Sequence, residues 1–429
     1  MDKKFLIIEK SLPKSDGINI FVIQVPLHKM NYFKKANILQ ILVLSLVLNS
    51  CGKSETDSDI KDSELPENVL PKMRPLTNEE PKLSKSYVTT TRQKIAHFYN
   101  KNWPGKSANG AFLVAKNGQI VFEKYDGLAN LSKKDSITPT TPLHIASVSK
   151  VLTAAAVLKL VNANRLKLDQ KVNTILKEFP FPEVTVRMLL NHRSGLRNYA
   201  YFTDRDDGVW DRHNRLTNQD ILTLLATKDI GLESRTNTRF AYCNTNYAML
   251  ALIIEKITKK SYKAAMTEMI FKPLGMKDTF VFDYEKDKNR IVPSYKANRV
   301  EIGKDYLDEV YGDKNIYSTV RDLLKFDRAR SRKDFLEPAL AKQVHVGYSN
   351  EREGEKNYGL GIRMINWKTG QNFYFHNGWW HGNTSSYITL PKEQVTIIAL
   401  SNKMNKSTYN VKKVAPLFGD YPFETDTDE

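Results

Sequence analysis

The stretch "HIASVSKVLTAAAVLKLV", His144 to Val161, sets three small residues and a lysine ahead of an apolar run. Ser147 and Lys150 stand three positions apart, and residues at that spacing share one face of a helix. One reading makes Ser147 a cap that satisfies unpaired N–H groups at the helix start. The other makes it a nucleophile within reach of the Lys150 amine, at a helix N-terminus whose dipole favours a forming alkoxide. Ser-x-x-Lys alone is weak, since it also occurs at Ser11/Lys14, Ser50/Lys53 and Ser58/Lys61. Only at Ser147 does the pattern run into "VLTAAAVLKLV", apolar on several faces and so expected in a buried helix. The rest of the chain has to decide between the two readings.

At 429 residues, 41% hydrophobic and 26% charged, the chain has a globular balance and ample length for a large core. Its formal charge is +17, of which +13 remains once residues 1–50 are set aside. Such an excess favours anionic surfaces. The Lys and Arg are scattered, however, with no basic helix and no Cys/His module, so nucleic acid is not an expected partner. The eight His show no His-x-x-x-His pair and there is no Cys-x-x-Cys, which argues against a metal site. No cofactor is expected.

The segment "MNYFKKANILQILVLSLVLNSC", 30–51, has a basic start (Lys34, Lys35) and an apolar core from Ile38 to Leu48, too short to span a bilayer comfortably. Its ending resembles a bacterial lipoprotein signal, in which Cys51 would be lipidated and become the first residue. Met30 then reads as the natural start, leaving 1–29 as an upstream extension. The expected product is exported and lipid-anchored at the cell envelope, with membrane contact through Cys51. Residues 51–88 are polar and Pro-containing and read as a tether. With Cys51 lipidated, Cys243 is a lone thiol and no disulfide forms.

Further along, an amphipathic helix is predicted around 91–101. "GAFLVAKNGQIVFEKYDGLAN" predicts two strands about an Asn117-Gly118 turn. "VTVRMLLNHRSGL" (Val184–Leu196) reads as a helix ended by Gly195. The 197–235 segment, rich in charge and aromatics, reads as a loop or small helical insertion over a site. "NTNYAMLALIIEKITKKSY" is a second buried helix. "YGLGIRMINW", "NFYFHN", "SSYITLP" and "VTIIALSN" read as strands. Strands at both ends with helices between them predict an α+β fold: an antiparallel sheet flanked by helices. The domain is expected over 89–420, with an acidic tail at 421–429.

Taken together, "HIASVSKVLTAAAVLKLV", "VTVRMLLNHRSGL", "TRFAYCNTNYAMLALIIEKIT", "NIYSTVRDLLKF" and "FHNGWW" resemble the serine β-lactamase and penicillin-binding-protein superfamily. The similarity is to its class C-like branch of esterases and D-amino-acid peptidases, and covers about 90–405. It implies a sheet flanked by helices beside an all-helical lobe. By the same resemblance Ser147 is the nucleophile that forms an acyl-enzyme, Lys150 eases its deprotonation, and Tyr242 of "YCN" relays the proton. Asn244 then contacts the acyl side of the substrate. The third box is read as His376-Asn377-Gly378, with His376 catalytic and Asn377 and Gly378 beside the substrate. The backbone N–H groups of Ser147 and Trp379 form the oxyanion hole.

Each box has a rival string. Tyr348-Ser349-Asn350 lies in the charged stretch "GYSNEREGEKN", where an exposed loop is expected. Lys368-Thr369-Gly370 is a literal match to the lactamase third box, but "WKTGQN" has the composition of a hairpin turn. His345-Val346-Gly347 is a weaker rival, and His192 reads as a structural turn residue. The expected function is acyl-enzyme hydrolysis of a small-molecule or peptide ester or amide, esterase-like because an imidazole replaces the lactamase lysine. A titration of His376 near the ordinary imidazole pKa, about 6.5, is expected in the rate. The alternatives are a D-Ala-D-Ala-type peptidase or true β-lactamase, or an inactive binding protein of the same fold.

Overall fold

The hairpin at Asn117-Gly118 forms: Gly110–Lys116 (β1) and Gln119–Asp126 (β2) pair antiparallel, and the two turn residues have φ of 49° and 69°. Two successive positive φ values match the twist of the strands they join. The coordinates are a computed structural model describing residues 61–76, 82–103, 109–204, 209–288, 291–351 and 354–424. The signal-like segment, Cys51 and residues 425–429 lie outside the described residues.

Two short strands, Leu143–His144 (β3) and Ile316–Ser318 (β4), pair beside the site. Five more follow: Lys356–Tyr358 (β5), Arg363–Asn366 (β6), Asn372–Trp380 (β7), Asn383–Leu390 (β8) and Val395–Ser401 (β9). The main sheet is antiparallel, in the order β5-β6-β7-β8-β9-β1-β2. The stretch "YGLGIRMINW", read as one strand, is a hairpin instead. Gly361 turns it with φ 90°, and a Cβ there would stand 2.2 Å from the Cβ of Ala154.

Both sheet faces are covered, which explains why β1 reads as an unbroken apolar run rather than an alternation. Ala111, Leu113 and Ala115 face the larger core, while Phe112 and Val114 face a second one. The second core is closed by Lys85–Asn102 (α1) through Ile95, Phe98 and Tyr99. That helix begins six residues earlier than its apolar pattern, because the Ser84 hydroxyl caps it by accepting the Tyr87 N–H. Tyr421 and Phe423 pack there too, so the tail's first residues belong to the domain.

The larger core holds Ser149–Asn162 (α2) and Asn244–Thr258 (α5), with Val186–Leu190 (α3) and Asn218–Thr227 (α4) beside α5. Helix α3 stops at Leu190, well before Gly195, because His192 takes a left-handed φ of 59°. Val320–Arg330 (α6) packs against β1 and β9, and Pro338–Val344 (α7) ends at Val344, whose carbonyl accepts the Leu360 N–H.

Residues 61–76, expected within the tether, pack on the domain instead. Asp62 is buried against Lys159 and accepts from Asn162 Nδ2 at 2.8 Å. Leu70 and Met73 join the larger core, and the Met73 N–H donates to the Met269 carbonyl at 2.7 Å. Among the described residues no helix is long and apolar enough to cross a membrane.

Candidate active site

After β3 the chain bends sharply at Ala146, buried and at φ 46°, into a 3-10 turn over Ala146–Val148; α2 starts only at Ser149. A left-handed alanine costs about 1 kcal/mol or more, so its surroundings must hold it there. His144 does so: its Nδ1 accepts the Ala146 N–H at 3.1 Å, and its Nε2–H donates to Asn315 Oδ1 at 3.0 Å. Burial pushes the His144 pKa down to about 4, so the ring keeps this neutral tautomer.

The turn lifts Ser147 off the helix, and the capping role disappears. The N-cap residue is Val148, without a side-chain bond, and Ser149 Oγ accepts the Ile316 N–H at 3.3 Å. Ser147 Oγ instead receives the Lys150 Nζ at 3.2 Å. Lys150 is fully buried and also donates to the Asp313 carbonyl at 2.8 Å. A buried amine fixed by two oxygens, one of them a hydroxyl, is the arrangement an activated serine requires.

Tyr242 comes to the same place from the loop before α5. Its position depends on His192, whose Nδ1 accepts from the Cys243 N–H and from Asn246 Nδ2, each at 3.1 Å. The His192 and Tyr242 ring centroids lie 4.4 Å apart. The turn expected at His192 is thus the support of Tyr242. Lys150 Nζ lies 5.1 Å from the Tyr242 ring centroid, so the phenol ring stands beside that amine. Asn244 is the first residue of α5, and its Oδ1 is buried with no partner among the described residues.

The third wall is β7. Gly378 lies against Ser147: a Cβ there would stand 2.8 Å from the Ser147 nitrogen and 2.7 Å from the Ile145 carbonyl oxygen. His376, two residues earlier and on the same face, is fully buried, with its ring centroid 6.1 Å from that of Tyr242. Its Nδ1–H donates to the Asn377 carbonyl at 2.8 Å, and its Nε2 accepts the Tyr358 hydroxyl at 3.3 Å. Burial, helped by the charges of Arg363 and Lys150, holds its pKa well below the usual imidazole value. The expected titration near neutral pH is therefore corrected: this ring stays neutral.

Asn377 is a second correction. Side chains alternate across a strand. Asn377 therefore points to the far face, where its Oδ1 accepts the Ser386 hydroxyl at 3.0 Å beside Phe373 and Phe375. Trp379, on the same strand face as Asn377, is 60% exposed, so only its backbone is left to serve the site. Lys368-Thr369-Gly370 is an exposed turn between β6 and β7, with Gly370 at φ 84°. The Tyr348 hydroxyl donates to the Gln343 carbonyl at 3.1 Å, and the His345 ring stacks on Tyr374 at 4.2 Å. None of these rival strings meets Ser147 or Lys150.

Two contributors escaped the motif reading. Arg363 places its guanidinium carbon 4.8 Å from the Tyr242 ring centroid. Its only signal was a lone charge in the apolar run "GLGIRMIN". Asp313 holds Lys150 through a main-chain oxygen, which leaves no trace in residue identity.

Residues 96–415 match the family described as Beta-lactamase. The chain belongs to the beta-lactamase family. Within it, Penicillin-binding protein 4* of Bacillus subtilis (strain 168) is 30% identical over 319 residues, 70% of this chain and 69% of the relative. A penicillin binding protein from Bacillus halodurans shares the fold with a TM-score of 0.65 at 21% identity, over 76% of this chain and 99% of its own. EstCE1, a hydrolase with promiscuous acyltransferase activity, does so with 0.64 at 17% identity, over 78% and 100%. The beta-lactamase-family fold here, helices against an antiparallel sheet, is the one these neighbours share.

Proposed function

We propose that this chain is an exported serine hydrolase that works through an acyl-enzyme on Ser147. The observation that carries the reading is the 3.2 Å contact between Lys150 Nζ and Ser147 Oγ, with Tyr242 beside the same amine. Ser147 Oγ attacks the carbonyl carbon of an ester or amide, and its proton passes to Lys150 or Tyr242. The oxyanion so formed is held by the Ser147 and Trp379 N–H groups. As the intermediate collapses, the carbon–heteroatom bond breaks, and the relayed proton goes to the departing alcohol or amine. Water then repeats the attack, releases the acid and restores Ser147. Asn244, with its unpartnered Oδ1, contacts the acyl part of the substrate.

A neutral His376 in the third box favours uncharged esters. A second reading rests on Arg363, which supplies a cation next to Tyr242 that the third box lacks. It favours substrates bearing a carboxylate, such as D-peptides or β-lactams. Delivery to the envelope by lipid on Cys51 is supported by "LVLNSC" alone. If it occurs, Cys51→Ser abolishes lipid labelling, whereas wild-type protein recovered with an intact N-terminus excludes it.

The test is a fluorophosphonate probe with mass-spectrometric mapping. Ser147→Ala abolishes labelling while Ser149→Ala retains it. Labelling that persists on Ser147→Ala and maps elsewhere overturns the assignment. A panel of esters, D-peptides and β-lactams on the wild type then separates the two substrate readings.

A further inference from the structure

Behind Lys150 lies a buried group that the acyl-enzyme chemistry does not use. Asp313, Lys314 and Tyr199 are all nearly or fully inaccessible, with Lys314 only 3% exposed. The Tyr199 hydroxyl donates to Asp313 Oδ2 at 2.8 Å and accepts from Lys314 Nζ at 2.7 Å. The Lys314 ammonium stands 3.9 Å from Asp313 Oδ1 and 4.7 Å from the Trp380 ring centroid. Two consecutive side chains thus grip one phenol oxygen, and the carbonyl between them is the one that receives Lys150. Asn315, next along, holds the His144 ring that supports the bend before Ser147.

We propose that Lys314 is a positioning residue for Lys150: together with Tyr199 it pins the Asp313 peptide against the Lys150 amine, and its charge balances the Asp313 carboxylate. This rests on the reading of Ser147 as the nucleophile. Burying a cation is costly unless it is paired, so an ammonium kept here answers a specific negative charge. Burial depresses its pKa, and the Asp313 and Asp308 carboxylates oppose that fall.

Without Lys314, an unbalanced carboxylate would lie behind Lys150. A nearby negative charge makes an amine hold its proton more tightly. The other groups facing Lys150 cannot replace that balance. The Tyr242 and Tyr247 rings lie 5.1 and 5.7 Å from Nζ, and His192 and His376 are held neutral by burial. Arg363, on β6, places its guanidinium over the Tyr242 ring and makes no contact with Asp313 among the described residues.

The experiment measures the rate of fluorophosphonate labelling at Ser147 from acid to alkaline pH. It uses the full chain as wild type, Lys314→Met, Tyr199→Phe and the double variant Asp313→Asn/Lys314→Met, with thermal melts to confirm folding. Lys314→Met is expected to slow labelling about tenfold at neutral pH and to move its rise about one unit toward alkaline pH. The double variant removes both charges, so its rise returns toward the wild-type position. Tyr199→Phe loses the clamp but no charge, so it slows labelling without moving the rise.

Folded Lys314→Met with an unchanged profile overturns the proposal. If that variant does not fold, the other two decide: a wild-type rate in Tyr199→Phe, or a displaced rise in the double variant, overturns it. A wild type that is not labelled at Ser147 removes the proposed function itself, a result distinct from a labelled wild type with an unresponsive Lys314.

Discussion

Gly378 passes so close to Ser147 that a methyl group on it would stand 2.8 Å from the Ser147 backbone nitrogen. The same Cβ would meet Ser385 Oγ at 2.3 Å and the Ile145 carbonyl oxygen at 2.7 Å. Two of the three obstacles are backbone, so relief requires β7 to withdraw from the turn that carries Ser147. Gly378→Ala should therefore slow acylation about 100-fold, the scale of losing one oxyanion donor. Probe labelling alongside a thermal melt checks this. An alanine variant that reacts at the wild-type rate would show that the close approach has no catalytic consequence.

His376 is buried between Tyr242 and Tyr358, whereas Lys368 sits on an exposed turn at the end of the sheet. His376→Ala should lower kcat/KM on the best substrate at least about tenfold, or about 1.4 kcal/mol, and Lys368→Ala hardly at all. Because burial keeps His376 neutral, the wild-type rate should show no inflection near pH 6.5 that disappears in His376→Gln. An inflection that this substitution removes would place a titrating imidazole in the reaction.

The site was legible wherever chemistry is concentrated in short strings. Ser147, Lys150, Tyr242 and His376 lie in boxes whose order along the chain can be read. The outward direction of Asn377 was also within reach, since period two forces it once His376 points inward. Lys314 and Arg363 were not within reach. Lys150 meets Asp313 across 163 positions of chain and through a carbonyl that any residue would supply. The tether reading failed for a related reason: in "DSELPENVLPKM" polar composition conceals Leu70 and Met73, which anchor without any periodicity.

The docked N-terminal segment yields a stability prediction. Lys159 lies on α2, the helix that follows Ser147, and its buried amine meets Asp62. Burial lowers the Lys159 pKa and Asp62 opposes that effect. Removing one partner of such a pair leaves an uncompensated charge, at a cost of about 3–5 kcal/mol. Asp62→Ala should lose roughly that in urea unfolding, while Asp62→Ala/Lys159→Met should recover most of it. A stability change below about 1 kcal/mol in Asp62→Ala, the range of exposed pairs, would mean the segment is not docked in solution.

Acid should weaken this fold well above the pH at which its carboxylates titrate. His144, His192 and His376 are buried and His345 is largely so, and desolvation depresses each imidazole pKa, His144 to about 4, His345 to about 3 and the other two well below the ordinary value. In the unfolded chain each returns to about 6.5. Below that pH the unfolded state binds more protons than the folded one, so stability falls as pH falls. The sign is opposite to that of a histidine paired with a carboxylate, which gains stability on acidification. Each ring contributes about 1.4 kcal/mol per pH unit below 6.5, so the four together remove roughly 6 kcal/mol by pH 5.5. Urea midpoints measured between pH 7.5 and 5.5 check this, with His144→Gln reducing the slope by about one quarter, since one ring in four is removed. A midpoint that holds constant over that range would show that these imidazoles are protonated, and hence hydrated or paired, in the folded protein.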